Sequence, residues 1–233
     1  MINQTVNSRL HYLGGGIQVM QHLPATVAAS DWWNPGGTFT CVAAYQAKGA
    51  ASLAASYVNL ANPGTYDAAP GIAPTWAAGA GWYFDSSSQY LVTGVTPNSQ
   101  NWSMIASVGS YVGVDYVAIC GGSPPAGDAR FALWAKGGDF EVAYLNGGVV
   151  LTSPVLSTSG GIIAVAGNKG YRNGVHEATI TQAETPATAI VIGRDSRYLT
   201  SLGLNGYLHG VAIYSTVLDA TQVSTLSTAM AAL

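Results

Sequence analysis

Charge is what this sequence has least of. It holds 8 Lys and Arg and 11 Asp and Glu in 233 residues, so 8% of the chain is charged, against about a quarter in ordinary soluble domains. A net charge of −3 raises no field able to gather nucleic acid or an anionic membrane surface, and neither is expected as a partner. Cysteine is scarce too. Cys41 in FTCVAAY and Cys120 in YVAICGG sit inside apolar, strand-like runs, where a thiol behaves as a small buried hydrophobe, and their spacing fits no zinc motif. No window of about 18 apolar residues would span a membrane, so no membrane insertion is expected. MINQTVNSRLHYLGG has no charged stretch leading into an apolar run, so no Sec leader is read there, and a disulfide is disfavoured on the same ground. His11, His22, His176 and His209 lack metal-ligand spacing, and there is neither a Gly-x-Ser-x-Gly elbow nor a phosphate loop. No metal and no cofactor is expected. A repeat of roughly 20 to 50 residues is missing as well, which sets aside solenoids and propellers.

What fills the chain instead is 48% hydrophobic residues and 29 glycines, with Ser, Thr, Asn and Gln supplying the polarity. Such a chain can bury a core, and its length suits one all-β domain. The charge-poor surface reads either as area covered by other chains or as a neutral hydroxyl and amide exterior. Composition does not separate the two.

Residues 1–37 are poorly periodic and end in SDWWNPGG, a cluster of turn formers around two tryptophans, and are read as an N-terminal arm or cap. From Thr38 to residue 233 the text changes to short β-rich runs punctuated by Gly, Pro, Asn and Ser, the pattern of a sandwich or barrel. The strand-like runs are 38–45, 81–85, 89–93, 102–109, 114–120, 130–136, 139–146, 161–167, 175–181, 188–193 and 206–214. ASLAASYVNLANPG places Leu53, Tyr57 and Leu60 at helical spacing and stops at Asn62-Pro63-Gly64, so a short helix or helical turn is expected there. LDATQVSTLSTAMAAL offers Asp219 as N-cap with Gln222 three residues on, then an apolar stripe of Val223, Leu226, Met230 and Leu233. That terminal helix needs the sandwich to pack on.

Four fragments resemble the laminin-G-like jelly rolls of the concanavalin A-like lectin and glucanase superfamily. They are PTWAAGAGWYFDSSSQYLVTG (74–94), WSMIASV (102–108), the Asn-Gly hairpin GNKGYRNGV (167–175) and IVIGRDSRYLTSLGLNGYLHGVAIYSTVLDATQV (190–223). The resemblance implies an all-β fold, a two-sheet antiparallel jelly-roll sandwich with a short C-terminal helix. It implies no reaction, because this superfold hosts lectins, adhesion modules and hydrolases alike.

The hairpin FALWAKGGDFEVAYL carries the candidate site. If Gly137-Gly138 is a two-residue turn, Lys136 faces Asp139, Trp134 faces Glu141, Ala132 faces Ala143 and Arg130 faces Leu145, all on one side. Phe131, Leu133, Ala135, Phe140, Val142 and Tyr144 take the other side, the core side, which leaves the Trp134 face outward. Arg130, Trp134, Lys136, Asp139 and Glu141 then form a platform on which a sugar ring could stack while charged groups meet its hydroxyls. The plainer reading is a cross-strand pair of Lys136 and Asp139, with Trp134 covering sheet surface or a neighbouring chain. Hydrolysis needs two carboxylates flanking the bond. Asp139 and Glu141 share a face, but the superfamily's Glu-x-Asp-x-x-Glu pattern is absent, so no catalytic residue is assigned.

Asp85 and Asp195 stand where the resemblance places calcium ligands in some relatives. Neither has a second carboxylate close in sequence, and a turn-capping role fits each better. His209 in GYLHGVAIY is expected at the surface or an edge. Trp32, Trp33, Trp76 and Trp82 read as core or interface packing, with Trp82 and Phe84 pointing inward together. Asn101-Trp102-Ser103 would be a glycosylation sequon only in a eukaryotic secretory protein.

The leading functional expectation is a non-enzymatic structural or adhesion protein on a phage virion, as a capsid decoration or tail-associated subunit. Its partners would be other virion proteins, further copies of itself in a homo-oligomer, and cell-surface glycans. The rival is a carbohydrate-binding lectin module of a larger, secreted or cell-surface assembly, and a glycoside hydrolase comes third.

Overall fold

The computed structural model describes residues 31–112, 116–125, 130–136, 139–144, 148–151, 160–180 and 188–233. In chain order the elements are β1 (Cys41–Gln46), α1 (Leu53–Ser56), β2 (Ala69–Ile72), β3 (Thr75–Ala77), β4 (Gly81–Asp85), β5 (Tyr90–Val92), β6 (Ser103–Tyr111), β7 (Val117–Gly122) and β8 (Phe131–Lys136). They continue with β9 (Asp139–Tyr144), β10 (Gly148–Leu151), β11 (Gly161–Ala166), β12 (Lys169–Arg172), β13 (Val175–Thr179), β14 (Val191–Ile192), β15 (Asn205–Tyr214) and α2 (Ala220–Ala231).

The strands form two antiparallel sheets. An eight-stranded sheet runs β13-β12-β11-β6-β15-β4-β3, with β1 also paired to β15, and a seven-stranded sheet runs β10-β9-β8-β7-β14-β5-β2. The chain is therefore a jelly-roll sandwich closed by one short C-terminal helix. Each strand presents alternate residues to the space between the sheets. Trp82, Phe84, Leu91, Met104, Ile119, Phe131, Leu133, Ile163, Val165, Ile192, Leu208, Val211 and Ile213 fill it, all essentially inaccessible to water. At about 1.5–3 kcal/mol for each large side chain, this interior is the main stabilising term. Trp82 and Phe84 do point inward together, edge to face at 6.5 Å.

A second apolar layer lies outside the eight-stranded sheet. There Ile105, Ile162, Ala164, Ala212 and Tyr214 meet Val223, Leu226 and Met230 of α2, together with Trp32. The helix begins as its sequence requires: Gln222 N donates to Asp219 Oδ1 at 2.8 Å and Asp219 N to Gln222 Oε1 at 2.9 Å, a reciprocal capping box. Of the expected arm, residues 31–37 are described, and these pack on the sandwich. Trp32 is buried, its Nε1 donating to Gln46 Oε1 at 3.0 Å, and the Trp33 carbonyl accepts from Tyr214 Oη at 2.8 Å. Residues 1–30, and with them His11 and His22, lie outside the described residues.

Several short elements depart from the sequence reading. β2, APGI, is not among the strand-like runs of the sequence; its Pro and Gly are excluded from central strands but tolerated here because it is the last strand of its sheet. β3 and β10 are three and four residues long, too short to show alternation, and β12 lies within the Asn-Gly hairpin fragment. The expected short helix after β1 is α1, and it ends before Leu60 because the Asn59 side chain intervenes. Its Oδ1 takes the Ala44 and Ala61 amides, and its Nδ2 donates to the Val42 and Thr65 carbonyls. Both cysteines are free thiols. Burial pushes Cys41 up to about 12 and raises Cys120 further, so neither is a thiolate near neutrality.

Candidate functional site

The β8–β9 hairpin has the expected register, with Trp134 opposite Glu141, Lys136 opposite Asp139 and Ala132 opposite Ala143. The Gly137-Gly138 turn, the Leu145 partner of Arg130, and the side chains of Lys136, Asp139 and Glu141 lie outside the described residues. What the structure corrects is the exposure expected for Trp134. Trp134 is only 3% exposed, and with Ala118 and Ala132 it lies beneath Tyr198, whose ring meets the indole edge to face at 5.8 Å.

The cover is a strap, residues 194–203, that crosses the outer side of the seven-stranded sheet. Its backbone makes parallel bridges at Gly121–Asp195 and Ala118–Gly203, and the Ala118 amide donates to the Leu202 carbonyl at 2.7 Å. Alternation along β8 gave the correct side; it could not show that a distant loop returns over that side.

Two neighbouring residues hold the strap. Arg194, wholly buried, donates to the carbonyls of Ser86 (2.9 Å), Gln89 (3.2 Å), Tyr198 (3.3 Å) and Ser201 (2.8 Å). A planar fork of donors thus ties the strap to the turn after β4. Asp195, equally buried, accepts from the Ser123 hydroxyl at 2.6 Å and from the Arg197 amide at 2.9 Å. The turn-capping role expected for it holds, with a second tie to the end of β7. Burial raises its carboxyl above the ordinary range, opposed by those hydrogen bonds and by Arg130 and Arg197. Asp85 is a turn cap as expected, accepting from the Ser87 amide and hydroxyl, which lower its pKa.

The other sheet offers a different surface. α2 and Trp32 cover one half of its outer side. On the other half Tyr83 of β4 and Tyr207 of β15, opposite each other in register, bring their rings to 5.0 Å at 48° and remain half-buried. Tyr83 Oη is 3.0 Å from Asn205 Oδ1, which fixes the first ring. His209, two residues beyond Tyr207, has its Nδ1 3.5 Å from Ser107 Oγ. Of the surface or edge position expected for it, the edge does not hold, since β15 is flanked by β6 on one side and by β4 and β1 on the other, and His209 is half-buried on the outer side of the sheet. Burial first, and Lys48 second, lower its pKa, so the imidazole is neutral near pH 7.

A glycine forms the floor of this half. A Cβ at Gly109 would come within 2.8 Å of both His209 Nε2 and Tyr207 Cβ, so those side chains lean over bare backbone. Two tilted aromatic faces with a neutral imidazole, an amide and a hydroxyl beside them combine stacking area with directional donors and acceptors. No group of three or more His, Cys, Asp or Glu able to hold a metal ion occurs among the described residues.

No protein-family model and no curated protein sequence matches the chain. Solved structures do share its fold. One is domain 4 of an extracellular GH43 arabinanase from Geobacillus stearothermophilus, in complex with arabinotriose, with a TM-score of 0.60 and 14% identity over 81% of this chain and 98% of that one. A second is a Trypanosoma rangeli sialidase mutant displaying trans-sialidase activity, at 0.58 and 14%, covering 82% of this chain but 33% of the sialidase chain. The receptor binding domain of botulinum neurotoxin D is a third, at 0.57 and 12%, covering 81% and 52%. The chain thus spans a third to a half of the sialidase and neurotoxin chains. At these identities the shared property is the β-sandwich.

Proposed function

We propose that this chain is a non-enzymatic glycan-binding adhesion module whose sugar site is the uncovered half of the eight-stranded sheet. The observation that carries the reading is the Tyr83–Tyr207 pair, two rings kept at the surface and flanked by Asn205, His209 and Ser107. The apolar C–H face of a sugar ring packs on such a pair, while its hydroxyls meet the amide and the imidazole. Support also comes from the fold shared with an arabinanase domain solved with arabinotriose. Asp85, the carboxylate at the Asn205 end of the site among the described residues, is engaged in its own turn, so the acid and nucleophile of a glycosidase are not part of the proposal.

A glycan array with the wild-type chain and Tyr207→Ala tests this. Binding to a defined glycan set, lost in the variant at unchanged melting temperature, supports the reading; an array silent for the wild type overturns it. The proposal also places the module on a virion surface, on the strength of its 8% charged composition. The mass of the native assembly with and without residues 1–30 decides that part, and a monomer unchanged by truncation counts against it. Cutting at residue 37 would remove the buried Trp32 and confuse the result.

A further inference from the structure

The strap covers the β7–β8 half of the seven-stranded sheet, and among the described residues nothing similar crosses the β5–β2 half. On that half stand Tyr66, Ile72 and Val92, at 45%, 50% and 36% exposure, three of the eight exposed large hydrophobics among the described residues. Pairing places Ala69 opposite Val92 and Ile72 opposite Tyr90, and since Leu91 points into the core, Tyr90 and Val92 point out. The Tyr90 ring lies against glycine backbone, and the Tyr66 ring stands near a second glycine. A Cβ at Gly71 would fall 2.0 Å from Tyr90 Cζ, and one at Gly94 would fall 3.5 Å from Tyr66 Cδ1.

The position of Tyr66 is held at a cost. Its φ is +60°, a left-handed conformation that a bulky residue adopts at roughly 1–3 kcal/mol, and its ring gains little burial in return. The loop is nonetheless locked around it. Its carbonyl accepts from Tyr45 Oη at 2.5 Å, and the neighbouring Asp67 carboxylate takes the amides of Asn59 and Gly64. Strain kept in a rigid loop that presents an aromatic ring to water is a mark of a contact surface.

We infer that the strip Tyr66, Val92, Ile72 and Tyr90 is a second carbohydrate subsite, for an extended, uncharged polysaccharide chain. The inference rests on the glycan-binding reading above and deepens it. The occupant follows from what the strip has and lacks. Residues 68–72 and 90–94 contain no Asp, Glu, Lys or Arg, and the carboxylate beside Tyr66, Asp67, already accepts from the Asn59 and Gly64 amides, so the strip's described residues offer no uncommitted charge to an anionic or cationic ligand. Strand addition by a protein partner is opposed at the β2 edge, where Pro70 has no N–H to offer. The outward residues Tyr90 and Val92 lie about 7 Å apart along β5, and Tyr66 at Gly94 continues beyond Val92, so the strip is longer than a single ring. The two tyrosine rings, Tyr90 resting on glycine backbone, present flat apolar area with a phenolic hydroxyl at one end, which suits the faces of successive neutral sugar units. With sites on opposite sheets, one chain would bind a polymer at two points, and a weak affinity at each would be multiplied.

Affinity electrophoresis in gels cast with hydroxyethylcellulose, linear arabinan, xylan or galactomannan tests the strip, with carboxymethylcellulose as the charged control. The wild-type chain is expected to be retarded by at least one neutral polymer. Tyr66→Asn, chosen because asparagine tolerates positive φ, and the surface pair Ile72→Thr with Val92→Thr should each weaken that retardation at least threefold without lowering the melting temperature. Tyr207→Ala should leave part of it, and its combination with Tyr66→Asn none. If the strip variants are retarded as strongly as wild type while Tyr207→Ala abolishes binding, the second subsite is wrong and the glycan reading stands. If no polymer retards the wild type and its glycan array is silent, both fall. Retardation in carboxymethylcellulose alone also overturns the neutral-polymer assignment.

Discussion

The two sheets turn different kinds of surface outward beyond their shared core. On the seven-stranded sheet a strap tied down by Arg194 and Asp195 closes over Trp134; on the eight-stranded sheet Tyr83 and Tyr207 stay half-buried beside a neutral histidine. Both faces are aromatic, so aromatic content alone does not separate packing from binding. What separates them is whether another part of the chain satisfies the rings. Trp134 has Tyr198 at its edge and alanines around it, whereas the Tyr83–Tyr207 pair is flanked by polar groups. The covered face should therefore govern stability and the uncovered one recognition.

The largest effect that would break this division is at Trp134. Trp134→Ala leaves a cavity beneath the strap and should destabilise the chain by about 3–5 kcal/mol, read from urea unfolding, with glycan affinity changed by less than about twofold. Loss of binding at unchanged stability would return the sugar site to the Trp134 face. Arg194→Met comes next, at about 3 kcal/mol, because four carbonyls lose a charged donor at once. The strap should loosen, and Trp134 fluorescence should shift to the red under conditions where the wild-type spectrum does not move. A blue, unshifted spectrum would mean that the bridges at Asp195 and Gly203 hold the strap without Arg194.

Smaller in energy, but decisive for the uncovered face, is Tyr207→Ala. Losing one of the two tilted rings should weaken glycan binding about tenfold, roughly 1.4 kcal/mol, and move the melting temperature by only a few degrees. Tyr83→Phe sharpens the same point, since it keeps the ring and removes only the hydroxyl that meets Asn205. An affinity loss in Tyr83→Phe smaller than in Tyr207→Ala would assign most of the binding to stacking.

Much of the fold could be read from alternation. The β8–β9 register, the inward pair Trp82 and Phe84, the boundaries of β4 and the α2 capping box all follow from local spacing, which is the scale on which strand and cap chemistry act. The site was less legible. Arg194 and Trp134 lie 60 positions apart, and nothing near either residue signals that a loop folds back across the sheet. Tyr83 in GWYFD and Tyr207 in GYLHG did carry a readable signal, as aromatic residues in the outward phase of runs whose inward phase is Trp82, Phe84 and Leu208. Asn59 and Arg194 act through backbone carbonyls far along the chain, and a polar side chain with distant partners resembles any surface residue in sequence.

The smallest expected effects are on pH dependence, where the two faces carry opposite signs. Burial, then Lys48, holds His209 below its ordinary 6.5, so the unfolded chain takes up a proton there before the folded one. Its contribution is complete above 6.5 and is lost as pH falls through and below that value. Burial raises Asp195 above its ordinary 3.8, so the folded chain keeps the proton longer. Stability then declines as pH rises from 3.8 to the raised value, and is level beyond it. Urea midpoints measured in steps from pH 4 to pH 8 should lose the His209 slope in His209→Gln and the Asp195 slope in Asp195→Asn. Because the histidine lies on the proposed sugar face, glycan affinity should weaken with acid alongside the first slope and be indifferent to the second. An affinity profile that follows Asp195 instead would couple the strap to recognition and undo the separation of the two faces.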